Sequence, residues 1–424
     1  MSIRSRSHGA DGADDRVVIT GVGAVSPVGL CAPASFGALV EGVSGVDLLF
    51  PDLDDSFEVR IGARVKGFES AAVLGKKHAR RHGRFTQLAS AAAYEAIQDA
   101  QLAEAGYASD RIATVVGVGF GGLELLEEGH DTLRERGPAR VSPYAIAGLI
   151  PNMAAGVVAM LAEAKGPCFC TASACASSSH ALGEALQLLR RGAADAVIAG
   201  GAESCMTPLC VAGFARMGAL SKRNDSPREA SRPFDKDRDG FVIGEGAAFV
   251  ILERLEVARR RGAVIYAELA GAGSSADAYH VTLSSEDGSG AALSMTLAMQ
   301  DARIDPGEIG YVSAHGTSTP HNDVTETKAI RRAFGHHADS LWVSSTKSMT
   351  GHLLGAAGAF AAVATTLALH KGVVPPTINM QEAGVGCDLD FVPGQARERR
   401  LDAALCNAFG FGGQNSTLVL RAAR

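Results

Sequence analysis

The stretch Pro167-Cys168-Phe169-Cys170-Thr171-Ala172-Ser173-Ala174-Cys175-Ala176-Ser177 reads as a short apolar strand over 167–170, a turn of small residues, and the start of a helix running to residue 191. A strand that feeds a helix through a tight turn is the repeating unit of a layered α/β protein. Strand-like runs stand at 16–21, 112–118, 196–200 and 246–252, with helical patterns at 84–100 and 177–191 between them. The alternation then repeats, with 264–273, 289–302, 310–314, 323–334, 342–345, 355–370 and 416–420 as the periodic segments. The two parts look like similar builds. A helix, a charge run and a glycine coincide at Arg259-Arg260-Arg261-Gly262, so the expected division is a first half over 16–260 and a second over 261–424, after a polar tail over 1–15 expected to be disordered.

Composition sets the outer limits. A chain of 424 residues with 46% hydrophobic and 20% charged residues is a soluble globular type, long enough for two domains of ordinary size. Forty basic against forty-six acidic residues leave a net charge of −6, which gives no global electrostatic reason to bind nucleic acid. The cysteines lie mostly in apolar stretches of a long chain rather than in a loop-rich disulfide framework, so reduced thiols and a cytoplasmic address are expected. The N-terminus lacks the apolar core of a signal peptide. Two apolar runs, 144–162 and 353–369, are broken by Pro151-Asn152 or rich in Ala, Gly and Thr, and are expected to be buried helices rather than membrane spans.

Three residues carry the chemistry. Cys175 sits at a helix N-terminus, where the positive end of the dipole is expected to favour thiolate. His315 follows a strand in Ala314-His315-Gly316-Thr317-Ser318-Thr319-Pro320, and His352 closes Lys347-Ser348-Met349-Thr350-Gly351-His352 before an Ala/Gly helix. Taken singly, each is a structural cysteine or a core histidine. Together, a thiol and two imidazoles at strand-to-helix corners suit covalent acyl chemistry, in which sulfur holds the acyl group and ring N–H groups stabilise an enolate oxygen.

Other motifs compete for attention. Gly117-Val118-Gly119-Phe120-Gly121-Gly122 matches a dinucleotide-binding string, but no acidic residue closes a neighbouring strand, and a glycine-rich wall beside a substrate is the favoured reading. Cys168, Cys170, Cys175 and His180 lack a common zinc spacing, so no metal is expected; Cys168 and Cys170 are expected to share a strand face and pack as small hydrophobes. Lys76, Lys77, Arg80, Arg81 and Arg84 form a compact basic segment, either a solvated helix face or a dock for an acidic partner.

These strings, with Val18-Ile19-Thr20-Gly21-Val22-Gly23, Asp235-Lys236-Asp237-Arg238-Asp239-Gly240-Phe241 and Asn407-Ala408-Phe409-Gly410-Phe411-Gly412-Gly413, resemble the β-ketoacyl-acyl carrier protein synthases of the thiolase superfamily, closest to the synthase II type. The resemblance spans nearly the whole chain. It implies a thiolase fold, two similar α/β halves in a five-layer αβαβα arrangement, and decarboxylative condensation of an acyl group with malonyl-acyl carrier protein in fatty acid or type II polyketide synthesis. It implies Cys175 as acyl acceptor, His315 and His352 as the decarboxylation and condensation pair, Lys347 as a supporting lysine and Glu326 as an orienting acid. It further implies Thr317 and Thr319 as pantetheine contacts, Phe411 as a gate, and an oxyanion hole from the N–H groups of Phe411 and Cys175. No cofactor is implied. The implied partners are acyl carrier protein, docked near the basic segment, and a second subunit, either another copy or a chain-length-factor paralogue lacking the cysteine. Phe120 stands where the family often has a smaller or aliphatic residue near the acyl pocket, so its ring is expected to shorten the pocket or act as a gate, favouring short or rigid acyl chains. Gln414 replaces the commoner threonine, with no expectation attached. A non-catalytic chain-length subunit is the alternative, and it would require a lost nucleophile or histidine.

Overall fold

The computed structural model describes residues 16–50 and 56–423, so the expected tail over 1–15 lies outside the described residues. Ten strands form one sheet: β1 (Val17–Val25), β2 (Ile112–Gly117), β3 (Cys168–Thr171), β4 (Ala196–Glu203), β5 (Gly246–Arg254), β6 (Ala267–Ala276), β7 (Ile309–Ser313), β8 (Trp342–Ser344), β9 (Ala403–Gly410) and β10 (Gln414–Ala422). Their spatial order is β8-β7-β9-β10-β6-β1-β5-β4-β2-β3. Read from the outer edges inward, the first half runs β3-β2-β4-β5-β1 and the second β8-β7-β9-β10-β6, so each position is repeated five strands later. The parallel pairs β2·β3 and β2·β4 are matched by β7·β8 and β7·β9, and the antiparallel pairs follow suit. The halves join edge to edge through β1 and β6 at two register pairs, Val18↔Glu268 and Ile19↔Ala267.

Helices complete the layers. Helix α1 (Arg84–Asp99) covers the outer face of the first half; α3 (Ser289–Asp301) and α4 (Pro320–Phe334) cover that of the second. Between the two halves lie α2 (Ser177–Arg190) and α5 (Ala357–Lys371), each touching strands of both. The strand pleat distributes the core accordingly. Val197 and Ala199 face the central helices while Ala196 and Ile198 face outward; in the second half Leu418 and Leu420 face the centre and Val419 the outer layer. Leu182 and Leu186 of α2 meet Phe360, Val363 and Leu367 of α5 in the middle.

A helix apolar on every side needs protein on every side. Every residue of α5 from Ala357 to Leu369 is buried, so the stretch Leu354–Lys371, long and apolar enough to cross a membrane, is a core helix here. The other apolar run divides into helices Ala145–Leu149 and Met153–Leu161.

Three local readings change. Strand β1 continues to Val25, past the expected end, because Gly21 and Gly23 let α1 lie directly on it; a Cβ at Gly23 would stand 2.0 Å from the Ala92 carbonyl oxygen. Strand β9 was hidden inside a glycine-rich motif and is defined by pairing with β7 and β10. Cys168 is exposed, because β3 is the sheet edge, whereas Cys170 packs partly buried on the outer core.

The central layer should dominate stability. Leu186 is fully buried there, so Leu186→Ala is expected to cost about 2–5 kcal/mol in urea unfolding. Leu209→Ala, at a residue 62% exposed, is expected to change it by less than about 0.5 kcal/mol.

Candidate active site

The repeated topology makes two similar corners. After β3, Ala174 takes a left-handed φ of 49° and opens a 3-10 turn, Ala174–Ala176, that runs into α2 with Cys175 at its centre. Small hydroxyls hold the bend: the Ser177 hydroxyl donates to the Ala174 carbonyl at 2.7 Å and accepts from the Ser173 N–H at 2.9 Å. In the second half, Leu354 at φ 47° opens the turn Leu354–Ala356 that leads into α5, two residues beyond His352. The N-termini of α2 and α5 touch: the Ala359 N–H donates to Ser178 Oγ at 2.8 Å, and a Cβ at Gly358 would lie 2.7 Å from the Ser179 nitrogen. His315 arrives from the end of β7. Cys175 Sγ and one ring nitrogen from each histidine lie within 4.8 Å of one another, with the imidazole planes at 82°.

The hydrogen bonds fix one tautomer. The Leu354 N–H donates to His352 Nδ1 at 3.3 Å, so the ring proton of neutral His352 belongs on Nε2, which is buried with no partner among the described residues. Burial, followed by the nearby Lys347 charge, holds both imidazoles well below the usual histidine range. They are therefore neutral N–H donors at pH 7. Burial also pushes the Cys175 thiol up to about 11, against the opposing effects of Lys347 and the backbone N–H groups of Phe411 and Cys175. Against the expected thiolate, desolvation outweighs the Lys347 charge and the two N–H groups and favours the thiol.

Lys347 and Glu326 stand behind the reacting surface. Glu326 on α4 accepts from the backbone N–H groups of His315 at 2.8 Å and Gly316 at 2.7 Å and from Asn407 Nδ2 at 3.1 Å, fixing the loop that carries His315. Burial raises its carboxyl above the ordinary value. Lys347, 5% exposed, is pushed down to about 8 by burial, with Glu326 acting the other way.

A cavity of about 680 Å³ opens onto these groups, lined by Cys175, His315, His352, Phe120, Phe411, Thr317 and Thr319 among others. The two threonine hydroxyls are 2.9 Å apart, and Thr319 also caps α4. Phe120 is 45% exposed and meets Phe214 edge-on at 6.1 Å. Phe214 also meets Phe241 at 5.3 Å and Phe411 at 6.3 Å, and Phe241 leans on His352 at 5.4 Å. Sequence reasoning missed Phe214, which sits without a local signature in the apolar helix Pro208–Arg216; Phe241 lay in a quoted motif but drew no role.

The glycine string is a cavity wall. Glu203 at the end of β4 accepts from the N–H groups of Gly119, Phe120 and Gly121 at 2.8–3.2 Å, so the donors that would cradle a phosphate are already committed. The imagined zinc set does not assemble around one point: Cys168 is exposed, Cys175 faces the cavity, and His180 Nδ1 is hydrogen-bonded to Ser173 Oγ at 2.7 Å. Cys175, His315 and His352 offer metal-type donor atoms within 4.8 Å of one another, and a cation among them would meet the Lys347 charge that acts on His315 and His352.

In the basic segment, Lys76, Lys77 and Arg80 are exposed, and the Arg81 guanidinium lies over the Tyr144 ring at 4.8 Å. Arg84 is a correction. Its guanidinium pairs with buried Glu245 at 2.6 Å and reaches the Val65 carbonyl at 3.1 Å, so it belongs to the fold rather than to a docking face.

A doubled α/β half, with a cysteine at one corner and two histidines at the facing loops, defines a thiolase-fold acyltransferase. Residues 14–258 match the beta-ketoacyl synthase N-terminal domain and residues 266–381 its C-terminal domain. The chain is 48% identical over 406 residues to a 3-oxoacyl-[acyl-carrier-protein] synthase 2 of Synechocystis sp., covering 96% of this chain and 98% of that one. Among solved structures, a type II polyketide synthase ketosynthase in complex with its acyl-carrier protein superposes with a TM-score of 0.89 at 35% identity, over 97% of this chain and 100% of that one. The ishigamide ketosynthase/chain length factor superposes with the same TM-score at 34% identity, over 97% and 100%. The chain belongs to the beta-ketoacyl synthase family.

The depressed Lys347 value has a signed consequence for stability. Between about 8 and 10.5 the unfolded chain holds the lysine proton that the folded one has released, so this group's contribution is present above 10.5 and lost as pH falls through about 8. Lys347→Met is expected to be more stable than the parent at pH 7. Unfolding midpoints measured at pH 7, 9 and 10.5 should show that advantage shrinking as pH rises.

Proposed function

We propose that this enzyme condenses an acyl group, held as a thioester on Cys175, with malonyl-acyl carrier protein to give 3-oxoacyl-acyl carrier protein. The observation that carries the proposal is the placement of one thiol and two neutral imidazoles within 4.8 Å at the floor of a substrate-sized cavity.

The first half-reaction is a thioester exchange. Cys175 Sγ forms a bond to the acyl carbonyl carbon, the bond to the carrier's pantetheine sulfur breaks, and the thiol proton passes by way of a neighbouring imidazole to the departing sulfur. The N–H groups of Cys175 and Phe411, both directed at Sγ, stabilise the tetrahedral oxyanion. Malonyl-carrier then enters. Its carboxylate leaves as carbon dioxide, the C–C bonding pair moves into an enolate, and the Nε2–H of His352, with the His315 ring, stabilises the enolate oxygen. The enolate carbon attacks the acyl carbonyl, the Cys175 C–S bond breaks, and sulfur takes one proton from solvent water, the proton that decarboxylative condensation consumes. Electrons and atoms balance without a metal or organic cofactor. Lys347 and Glu326 act through the histidines: the first adds its charge to the burial that keeps them neutral, and the second holds the His315 loop.

Thr317 and Thr319 meet the pantetheine arm in this reading, and Phe411 moves as that arm enters; all three line the cavity, which supports it. The exposed cations Lys76, Lys77 and Arg80 suit an acidic carrier protein. A fatty acid role is supported by the synthase 2 relative, which is more similar than either polyketide-type structure. The ishigamide complex keeps a paired chain-length factor in view, with this chain as the catalytic member because Cys175 and both histidines are intact. Otherwise the pair is two copies of this chain. The division into a cysteine half over 16–260 and a histidine half over 261–424 and a cytoplasmic location belong to the same reading.

Intact-mass spectrometry after mixing with a panel of acyl-carrier proteins should show a gain equal to one acyl group. Cys175→Ala should show none, and a gain retained in that variant would remove Cys175 as the acceptor. Phe120, standing in the cavity wall, is expected to limit the acyl chain, so Phe120→Ala should accept chains at least two carbons longer. Coincident chain-length profiles for the two proteins would sink that assignment.

A further inference from the structure

The carboxylate of Glu203 lies at the junction of the two halves, and the steps above do not use it. It is fully buried at the end of β4. Four backbone N–H groups converge on it: Gly119 at 2.8 Å, Phe120 at 3.2 Å and Gly121 at 3.2 Å from the first half, and Gly355 at 3.2 Å from the second. The space around it is tight. A Cβ at Gly119 would stand 2.5 Å from Oε2, and one at Gly355 would stand 2.6 Å from the same atom.

Gly355 follows Leu354, whose φ of 47° is costly for a branched apolar residue. A turn like that persists only when its surroundings hold it. Glu203 holds it from one side by accepting the Gly355 N–H, while the adjacent N–H, that of Leu354, points at His352 Nδ1. The same carboxylate therefore fixes two things. One is the wall that presents Phe120 to the acyl chain. The other is the turn that gives His352 its tautomer and aims Nε2–H at the substrate.

We propose that Glu203 is a positioning residue for His352: it pins the Leu354–Gly355 turn and the Gly119–Gly121 wall to a single point, setting the aim of the decarboxylating histidine relative to the acyl pocket. The inference rests on the condensing reading given above. It says that the second half-reaction depends on Glu203 more than the first, because thioester exchange uses Sγ, the N–H groups of Cys175 and Phe411 and one imidazole to pass the proton, for which His315, on the loop that Glu326 holds, suffices.

The test separates the half-reactions. Cys175 acylation by a short-chain acyl-carrier protein is followed by intact mass, and carbon dioxide release from malonyl-carrier protein is followed independently, in the full-length protein, in Glu203→Gln and in Glu203→Asp. Glu203→Gln keeps the shape but replaces one acceptor oxygen by a donor facing N–H groups. It should lose about 10- to 100-fold in carbon dioxide release while acylation stays within about threefold. Glu203→Asp, which keeps the charge one methylene short, should recover part of the loss. Should Glu203→Gln fail to fold, the same split between half-reactions is required of Glu203→Asp against the parent. Equal losses in both half-reactions, or no loss in either, would overturn the inference while leaving the condensing reading intact. A parent protein that releases no carbon dioxide would overturn that reading, and the inference with it.

Discussion

The structure depends on the contact between the N-termini of α2 and α5. Each helix is buried between the two halves of the sheet, so its direction is set by the layers, and the repeated topology brings both starts to one place. Small residues make the meeting possible: Gly358 lies against Ser179, and the Ser178 hydroxyl takes the Ala359 N–H. Cys175 and His352 each stand within a turn of one of these starts, so a thiol from one half and an imidazole from the other become neighbours without being neighbours in sequence. Two positive helix ends then face one small volume, which suits reactions that build negative charge on sulfur and oxygen.

Burial and helix field pull in opposite directions here, and the balance differs between ground state and reaction. Water exclusion keeps Cys175 protonated, His315 and His352 neutral, and Lys347 easily deprotonated. A neutral imidazole that donates a proton-bearing nitrogen is more useful to a developing enolate than a cation that would bind the malonyl carboxylate and resist its departure. The site is therefore a set of donors held in a dry place, poor in fixed charge, whose effect appears only when the substrate begins to carry charge. Glu326 supports that arrangement by gripping backbone rather than ring, which leaves the His315 imidazole free to face the cavity.

Much of this was legible in the chain itself, for physical reasons. Cys175, His315 and His352 announce themselves because a corner that presents a side chain to substrate needs small neighbours, and small neighbours are visible as letters. The alternation of strand and helix was readable because buried strands such as β2 and β4 are short apolar runs and helices such as α1 and α2 keep their period. Strand β9 was not, since one of its partners, β7, lies far back in the sequence and its last residues run into the glycine-rich turn that leads to the other, β10. Glu203 ends a strand as an ordinary acidic residue, and only the closed geometry shows four amides turned towards it. Arg84 looked like one more cation in a basic run until Glu245, 161 residues away, claimed it. The thiolate expectation failed because a dipole can be read from a helix start, whereas depth of burial cannot.

The two corners also set a stoichiometry. In the repeated plan the turn Ala174–Ala176 corresponds to Leu354–Ala356, so the position matching Cys175 is Gly355. A side chain there would meet the Gly119 nitrogen at 2.4 Å as well as the Glu203 carboxylate. The second corner is thus barred from ever hosting a nucleophile while the wall of the first stays where it is. A molecule built from two like elbows thus has room for one nucleophile, and the two substrates must share one chamber in succession.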